Sequence, residues 1–169
     1  MTNEFIEQQR NELKLRMKAL REEFQNKSKE FFSQATQSLF EKHPELESFS
    51  WTQGQEYNDE GYEFYANTDG DCLEINGRRE PKVTRSSYEI DKEIKHYSSL
   101  NALSIIEELK KERLEVEIIE KAHYELADSI AKVLNCFKRD DYEVMFGDGY
   151  KITVNRSGEV NIEAYDHGY

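Results

Sequence analysis

Between Pro44 and Gly77 the chain has no lysine and no arginine, although nine acidic residues lie there. That absence excludes the stretch as a direct nucleic-acid platform. Trp51, Tyr57, Tyr62 and Tyr65 could stack on bases, but a stacking platform needs a positive groove to hold phosphate. Cysteine is scarce: Cys72 and Cys136 stand far apart and outside metal-ligand spacing. This excludes a disulfide framework and predicts reduced thiols in a cytoplasm. No apolar run approaches the length of a membrane span, and MTNEFIEQQR has no apolar signal region, so neither a span nor a signal peptide is expected. GxGxxG, P-loop, GxSxG, HExxH and CxxC patterns are all missing, which removes the usual signatures of dinucleotide, nucleotide, acyl-transfer and zinc chemistry. No catalytic residue, metal site or cofactor is expected.

Two partial patterns were weighed and fail. NTDGDCLEINGR sets Asn67, Asp69 and Asp71 at alternate positions, as a calcium loop would, but its sixth and twelfth positions are Cys72 and Arg78 instead of Gly and Glu. His43, His96, His123 and His167 have no Cys, His or carboxylate at metal spacing. His123 falls on an apolar helix stripe and reads as a hydrogen-bonded core residue; Cys136, in VLNCF, reads as a buried small hydrophobe.

What the chain does have is aromatic area and localised charge. Its 169 residues include ten Tyr, nine Phe and one Trp, too much apolar aromatic surface for a disordered chain. The net charge is −12, of which residues 44–77 carry −9 and residues 140–169 carry −5, with the remainder slightly basic.

Hydrophobic spacing predicts a long helix over 3–43, with Leu13, Met17, Leu20, Phe24, Phe31, Ala35 and Leu39 as its stripe and Pro44 as its stop. A second helix is expected over about 100–137, on Ile106, Leu109, Val116, Ala127, Ile130, Leu134 and Phe137. Either Ser99 or the Ser104–Glu107 capping box starts it. Three strands are expected after each helix: ESFSWTQ, YEFYAN and CLEI, then YEVMF, YKITV and EVNIEA. The expected fold is α+β, in the order αβββαβββ, as one domain over 1–169 with a polar connector at 78–98. Tyr62, Asn67 and Gly70 match Tyr150, Asn155 and Gly158 in spacing, which reads either as an internal duplication or as two hairpins sharing turn chemistry.

The acidic block predicts a non-catalytic interaction module that presents an acidic, aromatic-studded sheet to a basic cleft on another protein. Its expected contacts are Glu56, Tyr57, Asp59, Glu60, Glu63, Tyr65, Asp69 and Asp71. The competing reading makes these acids only the solvated face of an antiparallel sheet. Two further alternatives are an assembly protein that forms a homodimer through its long helices, the first some 60 Å long, and a small-ligand (nucleotide) binder. No membrane and no direct nucleic-acid partner is expected.

HPELESFSWTQGQEYNDEGYEF resembles a segment of small accessory proteins of tailed bacteriophages, carried here by Phe49, Trp51, Thr52, Gln53, Tyr57, Asn58, Asp59 and Gly61. Glu60, between the Asp and the Gly, departs from that pattern. The resemblance spans about 40 of the 169 residues. It implies a phage-encoded accessory protein acting in a bacterial cytoplasm and brings no activity; taken with the acidic block, it leads to the expectation of an inhibitor of a host or defence protein.

Overall fold

The computed structural model describes residues 3–58, 61–100 and 102–165. The order is α1 (Asn3–Lys42), β1 (Ser48–Asn58), β2 (Gly61–Ala66), β3 (Glu74–Ile75), α2 (Ser87–Ser99), α3 (Leu103–Leu134), α4 (Arg139–Phe146), β4 (Tyr150–Asn155) and β5 (Val160–Ala164). The strands form one antiparallel sheet in the order β2-β1-β4-β5, with β3 beside β2 on the same edge of β1. The fold is therefore α+β.

The second half departs from the expected repeat. YEVMF is helical, not a strand, because the Asp141 carboxylate accepts from the Lys138 N–H at 2.8 Å and starts a helix there. Tyr142, Met145 and Phe146 are then buried together at helical spacing. The connector also holds a helix: at the start of α2, Ser86 and Glu89 form a reciprocal capping box. Nor are the two matched stretches equivalent. Residues 150–163 form the β4–β5 hairpin, whereas β2 and β3 pair with β1 and not with each other. The turn at Gly70–Cys72 is a single 3₁₀ turn between them.

One face of the sheet packs on α1, α3 and α4. The core is an aromatic cluster in which Phe32, Trp51, Phe137, Tyr142 and Phe146 meet at ring distances of 5.3–6.1 Å. Gln53, completely buried among them, accepts from Trp51 Nε1 at 3.0 Å and donates to the carbonyls of Tyr142 and Gly147. Tyr142 donates its hydroxyl to the Leu134 carbonyl at 2.6 Å, and burial pushes its pKa well up.

The lower end of β1 is tied by two residues. Asn76, at φ 51°, and Gly77, at φ 75°, make the tight turn that returns Ile75 to Arg78. The Asn76 side chain accepts from the Glu47 and Ser48 N–H groups and donates to the Glu45 carbonyl. Arg156 donates to the carbonyls of His43 and Leu46, satisfying groups left open where α1 stops.

A smaller apolar cluster, Ile90 with Leu109 and Val116, joins α2 to the first half of α3. Arg85 braces it with bonds to Glu93 and Glu112. Two expectations about burial are corrected. Cys136 is exposed. Leu13, Met17, Leu20 and Phe24 are exposed too, since α1 reaches the body from Gln25 onward, and Phe31, beyond that point, stays exposed with its ring 5.5 Å from that of Phe137.

Candidate functional site

The acidic residues singled out above divide between two places. β4 pairs with β1 only over Ser48–Gln53, whereas β2 pairs with it from Gln53 to Asn58. From Gly54 onward the hairpin is therefore a two-stranded arm extending past the end of β4. Its register sets Glu56 opposite Glu63, Tyr57 opposite Tyr62 and Asn58 opposite Gly61. Asp59 and Glu60, between the two strands, lie outside the described residues, as do the side chains of Glu56, Tyr57 and Glu63. By sequence alone, four acids and no base share these twelve residues, 54–65. Tyr65 is half-buried opposite Gly54 at the arm's root, where Phe64 is buried beside the Arg139 guanidinium at 5.9 Å.

Asp69 and Asp71 are elsewhere. Both are exposed on the 3₁₀ turn that seats Gly70 against Ala127 of α3. A Cβ built on Gly70 would stand 3.5–3.7 Å from Ala127, ordinary contact, so the turn lies close on the helix. Burial, then Asp71 and Asp69, raise the Cys72 thiol, which keeps it protonated and unreactive. The predicted contacts are thus not one surface: Glu56, Tyr57, Glu63 and Tyr65 belong to the two strands of the arm, Asp69 and Asp71 stand on the turn, and Asp59 and Glu60 lie outside the described residues.

Nor is the whole acidic block bare. Glu74 lies against Lys151 of β4, 3.7 Å from Arg79 Nε, and within reach of the Ser50 hydroxyl. The bond to Lys151 is the largest cause holding the Glu74 carboxyl below its usual range. The outer face of the sheet is accordingly polar and locally balanced at its centre, where Ser50 opposes Thr153 and Thr52 opposes Lys151.

The motif WTQ has a different task from the one its surroundings suggest. Phe49, Trp51, Thr52 and Gln53 are buried, so Trp51 is unavailable for stacking. His123 is half-buried and donates Nε2–H to the Arg79 carbonyl at 3.0 Å. Among the described residues no group of three His, Cys, Asp or Glu side chains is arranged to hold a metal ion, and no helix is long and apolar enough to cross a membrane. A groove of about 540 Å³ runs between the connector and the α2–α3 pair, along Pro81, Arg85, Tyr88 and Glu120. Of its two cations, Arg85 bonds Glu93 and Glu112, and Lys92 lies over the Tyr88 ring at 4.4 Å. Comparison with family models, with curated proteins and with solved structures finds no match.

Proposed function

We propose that this protein is a non-catalytic interaction module whose β1–β2 arm, residues 54–65, is offered to a basic surface of another protein. The observation that carries the reading is that β1 outruns β4, so from Gly54 onward an acidic stretch without lysine or arginine is paired by β2 alone. An arm supported on one side brings its charge to a cleft that a flat sheet could not enter. Like charges directly opposite across an antiparallel pair are destabilising, so the Glu56–Glu63 register is a local cost that a cationic partner would offset. Complementary potential would speed encounter and select the partner. Charge and the resemblance to phage accessory proteins together favour a basic, nucleic-acid-binding cleft of a bacterial host or defence protein.

The test is capture on the immobilised full chain from bacterial lysate, at low and at high salt, with the retained proteins identified by mass spectrometry. A basic protein retained at low salt and released at high salt is expected. Retention indifferent to salt would remove the electrostatic reading. A second reading, structural assembly through the long helices, is favoured by one observation of its own: the exposed apolar stripe of α1.

A further inference from the structure

Residues 5–24 of α1 are exposed without exception, a stalk of about 30 Å. Its apolar residues are not scattered. Ile6, Leu13, Met17, Leu20, Phe24 and Phe31 follow one another at spacings of seven, four, three, four and seven, all of them exposed. These are the a and d positions of a heptad, with Arg10 and Lys27 filling the two remaining layers. A strict seven-residue repeat keeps one seam facing a partner helix, whereas a helix packed on a globular body drifts from it.

The seam is also not a continuation of the core stripe. The body is met by Phe32, Thr36, Leu39 and Phe40, which lie about 100° further round the helix at 3.6 residues per turn; of the seam residues Phe31, at its far end, also meets the body, 5.5 Å from the Phe137 ring. Two separate faces imply two separate partners, and the fold supplies only one.

We infer that α1 pairs with α1 of a second copy of this chain, antiparallel and centred between Met17 and Leu20. The orientation follows from charge. Both orientations face basic layers, Arg10 on Arg10 and Lys27 on Lys27 in a parallel, in-register pair and Arg10 on the partner copy's Lys27 in an antiparallel one, so the flanks decide. The parallel pair sets Arg16 beside Arg21 with no opposite charge to offset it. The antiparallel pair sets Leu13 against Phe24 and Ile6 against Phe31, and brings Arg16 beside the partner copy's Glu23. Lys14 beside Arg21 is its unfavourable flank. Six seam side chains, each hiding on the order of 100 Å², together with the flanking stems, bring each helix near the ~800 Å² per partner of a stable interface.

The test is the molar mass of the full chain in solution, by light scattering across a concentration series, beside Met17→Glu/Leu20→Glu and Leu15→Glu. All three side chains are similarly exposed, at 65%, 65% and 68%, so far-UV circular dichroism should show an intact body in every variant. The dimer should persist in Leu15→Glu, off the seam, and be lost in the double variant. A monomeric wild type, or a dimer indifferent to the double variant, would overturn the proposal. Orientation is read with Cys72→Ser/Cys136→Ser chains. A mixture of Ile6→Cys and Phe31→Cys should crosslink between unlike chains, and Ile6→Cys crosslinking to itself would refute the antiparallel arrangement.

Discussion

At the scale of single residues, Gln53 is the point where sheet and helices are locked together. It is the only residue described as completely buried whose side chain is polar, and each of its polar atoms has a partner in Trp51, Tyr142 or Gly147. Gln53→Leu keeps the volume but strands the indole N–H and two carbonyls in the core. At 1–3 kcal/mol for each buried polar group left unsatisfied, a loss of about 3 kcal/mol in chemical denaturation is expected. Glu74 gives a second residue-scale prediction, through pH. Its carboxyl is held below the usual range, chiefly by Lys151, so its contribution is present above the ordinary carboxylate pKa and lost as pH falls through the lowered folded value. Glu74→Gln should remove that part of the acid unfolding limb, seen as a shallower fall of Tm with decreasing pH below about 4.5. The alkaline limb should be unchanged.

At the scale of elements, the β1–β2 arm sets Glu56 opposite Glu63. Glu56→Gln removes one of two opposed carboxylates and should stabilise the protein by about 0.2–1 kcal/mol, measured by thermal unfolding at low salt, while weakening partner capture. No change in stability would mean that the register does not press those charges together. Elements differed in how readable they were. The second half of α3 was legible because Leu126, Ile130, Leu134 and Phe137 keep one face buried over three turns. The strand SFSWTQ was legible because Phe49 and Trp51 alternate with Ser50 and Thr52. YEVMF was not, since Tyr142, Val144 and Phe146 satisfy a strand's period as well as Tyr142, Met145 and Phe146 satisfy a helix's. Asp141 decided between them, through a cap whose partner is a backbone N–H. Asn76–Gly77, a strong short-range hairpin signal, went unread beside the more conspicuous NTDG, which closes no hairpin. The arm could not be read at all, because it depends on where β4 stops beside β1, and register between distant strands leaves no local trace.

For the whole molecule, the two surfaces proposed above would face different partners. The stalk of α1 carries an apolar seam suited to its own copy, and the arm carries carboxylates suited to a basic surface. A dimer through α1 would present two arms and raise the apparent affinity for a partner with two basic sites. The Met17→Glu/Leu20→Glu monomer should therefore bind a bivalent partner more weakly while keeping its affinity for a single site, as titration calorimetry against each would show.

The central claim concerns where the negative charge sits, not how much there is. The most direct measurement compares salt-dependent binding of the captured partner to three full-length chains. These are the wild type, Asp59→Lys/Glu60→Lys/Glu63→Lys, and Glu107→Lys/Glu108→Lys/Glu115→Lys, which makes the same charge change on exposed positions of α3. The account predicts that binding is lost in the arm variant and kept in the α3 variant. Equal loss in both, or full binding by the arm variant, would contradict it.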